Sequence, residues 1–271
     1  MKADEANDAT PLSVTSVGEG ADLVLLHGWG MHSGIWHDLL QPLQEKYRIH
    51  QVDLPGHGRS QSTVGDFDLL LLAQMIRQSL TSRLQGPAFW LGWSLGGLAA
   101  MQIALQQPAM IRALVLVATT PRFVRADDWP HAMSPDVLGM FADQLAEDQE
   151  ATLHRFLALQ VKGSDEARES LRRLRRQVLD NAVLDPSALH SGLAILQQAD
   201  LRSRLHELNT LPVLQVFGEH DMLVPRKSAA DQAALFGNSR SVVIEGAGHA
   251  PFVSHRDQFL KQLMMFLDAT E

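Results

Sequence analysis

The chain has 271 residues, 45% of them hydrophobic and 20% charged, which is the composition of an ordinary globular protein rather than a disordered or fibrous one. Its formal net charge of -8 argues against non-specific attraction to nucleic acid, so no nucleic-acid partner is expected. The absence of cysteine excludes disulfides, thiol catalysis and thiolate metal ligands, and suits a reducing cytoplasm. Met1 to Thr10 is polar, with no apolar run after Lys2, and reads as a loose tail rather than a secretory signal. Nowhere do about 18 apolar residues run together, so neither a membrane span nor a membrane partner is expected.

In chain order, Leu23–Leu26 is a short apolar run of strand type that ends in His27-Gly28-Trp29-Gly30. Trp36–Leu43 reads as a helix, and Ile49–Val52 as a second strand, ending in Asp53-Leu54-Pro55-Gly56-His57-Gly58-Arg59-Ser60. Leu69–Leu84 has helical spacing, Ala88–Leu91 is a third strand, Leu98–Gln107 a helix stopped at Pro108, and Ala113–Val117 a fourth strand. Strands alternating with helices predict a parallel sheet covered on both faces, the α/β class. From Pro121 the rhythm breaks into helical stretches at Pro135–Leu145, Glu150–Gln160, Asp165–Leu179 and Pro186–Gln197. Val213–Phe217 and Ser241–Ile244 resume the strands, and Asp257–Leu267 is a final helix. The expected organisation is a tail with a candidate first strand at 1–20, a core of 21–121 and 206–271, and a helical lid insertion at 122–205. Such an insertion sits over the carboxyl ends of the strands, where open sheets bind ligands.

Gly92-Trp93-Ser94-Leu95-Gly96 matches G-x-S-x-G, a pattern that chance alone gives in roughly one chain of this length in ten. The strand before it and the helix after it make it a nucleophile elbow, which lifts a serine hydroxyl above the sheet. Serine needs a base to remove its proton. Of the 12 histidines, His249 lies in Gly246-Ala247-Gly248-His249-Ala250-Pro251, directly after a strand and on the edge that carries Ser94. His255 and His220 are weaker candidates, and His32, His37, His50, His154, His190 and His206 have no supporting context. The acid that orients the base should follow the preceding strand, in Gly218-Glu219-His220-Asp221. Asp221 and Glu219 both qualify, and Asp221 is preferred because Val224-Pro225 pins it. The order Ser94, Asp221, His249 is that of a serine hydrolase built on this architecture. An oxyanion hole is expected from the backbone N–H groups of Leu95 and Trp29. No HExxH or clustered His/Asp/Glu spacing suggests a metal, and Gly56-His57-Gly58 lacks the third glycine of a nucleotide loop and reads as a turn.

The chain resembles the α/β-hydrolase superfamily from about Ala21 to Leu267. Within it, the chain is similar to the pimeloyl-acyl-carrier-protein methyl ester esterase family of biotin biosynthesis. The resemblance rests on Leu25-Leu26-His27-Gly28-Trp29-Gly30, Val52-Asp53-Leu54-Pro55-Gly56 and Trp90-Leu91-Gly92-Trp93-Ser94-Leu95-Gly96-Gly97-Leu98. It rests also on three segments that the superfamily does not share: Asp128-Trp129-Pro130, Arg155-Phe156-Leu157-Ala158-Leu159-Gln160 and Leu223-Val224-Pro225-Arg226-Lys227. It implies a carboxylesterase that releases methanol from a pimeloyl methyl ester held on acyl-carrier protein and needs no cofactor, and a cytoplasmic monomer is expected. It also implies a substrate site of Trp29, Ser94, Leu95, Phe156, Leu157, Ala158, Leu159, Gln160 and His249. Lys162, Arg168, Arg172, Arg173, Arg175 and Arg176 crowd one segment of the insertion, opposed there mainly by Asp165, Glu166 and Glu169, and suit either an acidic partner or an ordinary solvated helix face. By the same resemblance Arg155, Arg168 and Arg172 contact the carrier protein, Ala151 stands where a fourth cation is expected, and Arg173, Arg175 or Arg176 are the candidates to replace it. The competing readings are a hydrolase of another small ester, thioester or carbon–carbon bond, and a non-catalytic binding protein of the same fold.

Overall fold

The computed structural model describes residues 12–60, 65–178 and 184–271. The polar tail and the end of the third insertion helix, Leu179, lie outside the described residues. Among the described residues seven strands form one sheet: β1 (Val14–Val17), β2 (Ala21–Leu26), β3 (Tyr47–Val52), β4 (Ala88–Trp93), β5 (Ile111–Val117), β6 (Val213–Gly218) and β7 (Ser239–Ile244). Their order is β1-β3-β2-β4-β5-β6-β7, and every pairing is parallel except the edge pair β1–β3. The apolar runs of the sequence form the centre: β4 is buried at every residue, and Leu23 to Leu26 of β2 are fully buried. Strands covered on both faces need no polar alternation.

The parallel registers Leu26↔Gly92, Trp93↔Val117, Val117↔Val216 and Gly218↔Ile244 align the carboxyl ends of five strands along one edge. The loops that begin at His27, Ser94, Ala118, Glu219 and Glu245 therefore open side by side.

Helices α1 (His37–Leu43), α2 (Leu69–Leu80), α3 (Leu95–Gln106), α8 (Ser228–Ala233), α9 (Pro251–Ser254) and α10 (Arg256–Thr270) accompany the sheet. Helix α2 stops four residues before the end its spacing predicts. Arg83 and Leu84 N–H both turn back to Leu80 O, while the Leu84 side chain still packs on the core. Its apolar character thus continues a helical pattern that the backbone has left. Helix α3 begins three residues earlier than predicted, because Gly96 and Gly97, which resemble a loop, form its first turn. Every residue from Leu95 to Leu105 of α3 is buried, so this is a core helix rather than an amphipathic one.

Between β5 and β6 run α4 (Pro135–Glu147), α5 (Gln149–Val161), α6 (Ala167–Val178) and α7 (Pro186–Gln198). The chain leaves and rejoins the sheet at one place. Leu201 N–H donates to Pro121 O at 3.0 Å, and Arg122 pairs with Asp200 at 2.7 Å. Arg202 adds bonds to Asp200 and Asp128 and lies over the Trp129 ring at 5.3 Å, so the Asp128-Trp129-Pro130 motif belongs to this joint. Among the described residues no helix is long and apolar enough to cross a membrane.

Candidate active site

Ser94 has φ 55° and ψ -117°, a conformation that costs a non-glycine residue on the order of 1–3 kcal/mol. The surroundings hold it there. Ser94 N–H donates to Val117 O at 3.0 Å, and Ser94 O accepts from Thr119 Oγ1 at 2.7 Å and from Gly97 N at 2.9 Å. Gly92 and Gly96 are required by space, since a Cβ on Gly92 would meet Gly96 O at 2.4 Å and one on Gly96 would meet Leu26 O at 2.3 Å. Strand β4, helix α3 and the end of β2 can approach this closely only without side chains there.

His249 is 1% exposed and Asp221 5% exposed, so the bond between His249 Nδ1 and Asp221 Oδ2, 2.8 Å, is shielded from water. A carboxylate only accepts, so Nδ1 carries the proton and Nε2 presents its lone pair. Nε2 is buried and has no hydrogen-bond partner among the described residues. Asp221 is fixed in turn: its Oδ1 accepts from Leu223 N at 2.8 Å and Val224 N at 2.9 Å. Glu219, the other candidate, is used differently. Its Oε2 accepts from Gly246 N at 3.1 Å and its Oε1 from Arg226 at 3.3 Å. The Gly246 bond, with help from His220 and Arg226, holds the Glu219 carboxyl below the usual carboxylate range. Glu219 thus ties down the loop that carries His249, while Asp221 meets the imidazole.

Leu95 opens α3 directly after Ser94. The loop that carries Trp29 abuts the serine, for a Cβ on Gly28 would stand 3.3 Å from Ser94 Cβ. Two buried histidines brace that loop. His27 Nε2 accepts from Leu54 N at 2.9 Å while Nδ1–H donates to Gly28 O at 2.8 Å. His57 Nε2 accepts from Gly30 N at 3.2 Å while Nδ1–H donates to Pro55 O at 2.8 Å. Burial pushes His27 down to about 3 and His57 down to about 4, so both stay neutral and can accept. The Trp29 indole donates to Leu189 O at 2.8 Å, and its ring stands edge-on to Phe156 at 4.7 Å.

The run Phe156 to Gln160 does not act as a block, because an α-helix distributes five consecutive residues around its axis. Phe156 meets Trp29, and the Gln160 carbonyl accepts from His249 N–H at 2.8 Å. The Gln160 amide is buried with neither polar atom partnered among the described residues. Leu157 is buried, but Ala158 is exposed and, with Leu159, lines an outer groove of about 620 Å³ on the far side of α5. The five residues that the resemblance implies as lining the substrate site are thus divided between two sides of the helix. The sequence reading missed Leu153, which a Cβ on Gly30 would touch at 2.9 Å, and Gly192, whose missing Cβ leaves room for Trp29 at 2.6 Å. The spacing 153, 156, 160 (i, i+3, i+7) was a signal that could have found the first.

The arginines lie apart from the serine. Arg155 and Arg168 border the outer groove, Arg155 donates to Gln144 Oε1 at 2.7 Å, and Arg172 is exposed and paired with Glu169. Ala151 is half-buried in the first turn of α5, its N–H capped by Asp148 Oδ1 at 2.9 Å. Among the described residues no group of three or more His, Asp or Glu side chains is placed to hold a metal ion.

The family model for the α/β-hydrolase fold matches residues 23–256. A pimeloyl-acyl-carrier-protein methyl ester esterase of Serratia marcescens is 46% identical over 261 residues, covering 96% of this chain and 99% of that protein. One of Yersinia pseudotuberculosis is 45% identical over 252 residues, covering 93% of this chain and 95% of the other. Among solved structures, an esterase from Exiguobacterium antarcticum superposes with a TM-score of 0.85 at 24% identity, over 95% of both chains. A bromoperoxidase from Bacillus anthracis gives a TM-score of 0.87 at 20% identity, over 96% of this chain and 97% of the other. Both likenesses speak to the fold alone. The chain belongs to the α/β-hydrolase family and, within it, to the family of the pimeloyl-acyl-carrier-protein methyl ester esterases.

Proposed function

We propose that this chain hydrolyses the methyl ester of pimeloyl-acyl-carrier-protein methyl ester, giving pimeloyl-acyl-carrier protein and methanol, in biotin biosynthesis. The observation that carries the chemistry is the buried Asp221–His249 pair at 2.8 Å, with Nε2 unpartnered among the described residues, in a sheet whose same edge presents Ser94 on a strained elbow. The relatives' shared name supplies the substrate.

Ser94 Oγ attacks the ester carbonyl carbon as its proton passes to His249 Nε2. Asp221 fixes the imidazole tautomer and stabilises the imidazolium without taking the proton. The tetrahedral oxyanion is held by Leu95 N–H and Trp29 N–H, each such donor being worth about 2.7–4 kcal/mol of transition-state stabilisation. The intermediate collapses, the carbon–oxygen bond to methoxide breaks, and His249 returns the proton so that methanol leaves. Water then attacks the acyl-enzyme by the same route and frees the pimeloyl carboxyl. No cofactor enters this sequence. Phe156, Leu157 and Gln160 form the wall of the acyl site, and α4 to α7 act as its lid. Arg155, Arg168 and Arg172 contact the carrier protein, and the enzyme works as a cytoplasmic monomer; the cysteine-free composition suits that compartment.

The test is a comparison of kcat/KM for the carrier-bound pimeloyl methyl ester and for p-nitrophenyl acetate, with methanol measured as product. A preference for the carrier-bound ester of about a hundredfold or more, a difference of ~2.7 kcal/mol, is expected. Turnover of the aryl ester without methanol release from the carrier-bound one would leave a general esterase of this fold.

A further inference from the structure

The cations of α6 fall on two faces of the helix. Arg168 opens onto the outer groove beside Arg155. Arg173 and Arg176, one turn apart, open onto a cleft of about 800 Å³ between α6, α1 and α10, where they are joined by Arg256 and His37, and Arg173 also borders, with Arg168, a smaller pocket that holds Asp165, Glu166 and Glu169. Three guanidiniums and one carboxylate, Asp38, line this cleft in a chain whose net charge is -8. The cleft therefore departs in sign from the molecule around it, and charge gathered in a concave surface focuses its field.

Two of the three guanidiniums are held by neutral acceptors. Arg256 Nε donates to Asp38 O at 2.7 Å, and Arg173 Nη1 donates to Val253 O at 3.3 Å. Carbonyl bonds of this kind fix a guanidinium in place without cancelling its charge. Two carboxylates paired with these guanidiniums are poor neutralisers. Asp257, 3.2 Å from Arg256, is 92% exposed, and Glu169, 3.5 Å from Arg173, is shared with Arg172. Exposed pairs of this type contribute only about 0–1 kcal/mol. Arginine forks oriented in this way match carboxylates bidentately.

We propose that the cleft between α6, α1 and α10 is a second docking surface, taking a carboxylate-rich face of the carrier protein. The inference rests on the function proposed above and extends its partner contact across the seam between the helical insertion and the core. The occupant follows from charge and continuity. The cleft and the Arg155–Arg168 groove flank the same helix, so one acidic protein that straddles α6 meets both. On this footing Arg173 and Arg176 do not replace a cation on the groove face; they serve a different contact together with Arg256, which the segment's own charge run does not contain.

The experiment measures kcat/KM for the carrier-bound ester and for p-nitrophenyl acetate in wild type, Arg173→Glu/Arg176→Glu, Arg173→Gln/Arg176→Gln and Arg155→Glu/Arg168→Glu. Binding of the carrier protein to each on a Ser94→Ala background is measured beside it. The Glu pair is expected to lower carrier-bound turnover about tenfold or more and the Gln pair less, with the aryl ester within about twofold, a loss of ~1.4 kcal/mol or more confined to one substrate. The wild-type preference should shrink with added salt, since screening acts over about 8 Å at physiological ionic strength. Loss in the Arg155/Arg168 variant with none in either cleft variant overturns the cleft and leaves the proposed function standing. Absence of carrier-bound turnover in wild type removes that function and the cleft with it. Equal loss on both substrates in both cleft variants assigns the arginines to folding of the insertion. Unchanged carrier binding together with lost binding of inorganic pyrophosphate gives the cleft to a free phosphate ligand; either result overturns the proposal.

Discussion

The backbone N–H of His249 donates to the carbonyl of Gln160 at 2.8 Å, so the base on the core is held by the last turn of an insertion helix. Asp165 N–H repeats the link one step along, to Gly246 O at 3.0 Å. Room for this contact depends on Gly248, where a Cβ would meet Gln160 O at 2.8 Å. Gly248→Ala should push α5 and the His249 loop apart. A displacement well under 1 Å at a base lowers kcat about tenfold to a hundredfold, and KM should change less. Measuring kcat and KM separately tests this, and an unchanged kcat would show that the two segments move independently.

Ser94→Ala should abolish ester hydrolysis and leave the fold intact or slightly firmer. The hydroxyl contributes nothing to the core, and the elbow is held by the Ser94 backbone through Val117 O and Thr119 Oγ1. Thermal unfolding beside the assay checks both halves. Residual activity within about tenfold of wild type would move the nucleophile elsewhere.

Asp221 and Glu219 should separate cleanly. Asp221→Asn offers an amide where Nδ1–H needs an acceptor, favours the wrong tautomer, and should lower kcat about ten-thousandfold. Glu219→Gln loses charge but keeps an oxygen for Gly246 N–H, so its activity should stay within about tenfold of wild type, with some loss of Tm. The reverse ranking would transfer the orienting role to Glu219.

Acid should destabilise the fold before it titrates the carboxylates. Burial holds His57 down to about 4 and His27 down to about 3, whereas imidazoles of the unfolded chain titrate near ~6.5. From about pH 6.5 down to about 4 the unfolded chain binds more protons, so stability falls with pH by up to about 1.4 kcal/mol per unit for each histidine. Asp200, which the Arg202 hydrogen bond holds at about 2, loses its contribution only below its ordinary 3.8. His57→Gln keeps an acceptor for Gly30 N–H and should flatten the upper part of the curve. Denaturant titrations at several pH values read the slope directly, and an identical slope in the variant would show that His57 is not held neutral.

The parallel sheet was legible because its strands are uninterrupted apolar runs, and buried strands need little else. The neighbourhood of Ser94, Asp221 and His249 was legible for a related reason: each follows a strand, and a parallel sheet brings strand ends to one edge. Other features depend on direction around a helix axis, which a run of similar residues conceals. The five residues from Phe156 to Gln160 read as one motif, yet Ala158 and Leu159 face the outer groove. The arginines of α6 read as one patch and divide between two surfaces. Strand β1 was only a candidate, since Val14–Val17 is a short, half-buried edge with little apolar signal. The role of Thr119 could not be seen, because it depends on a bond across two strands to Ser94 O.

The joint at Pro121 and Leu201 gives the insertion the character of a graft. One backbone bond and the Arg122–Asp200 pair close the loop at its base, so its helices could be exchanged without recutting the sheet. A transplant from another chain would nevertheless have to reproduce contacts with the core. It needs a residue without a side chain over Trp29, as Gly192 is here, and a carbonyl aimed at His249 N–H, as Gln160 supplies. An insertion closed so simply at its base therefore still carries fixed points against the core, and a chimera that ignored them is expected to lose turnover.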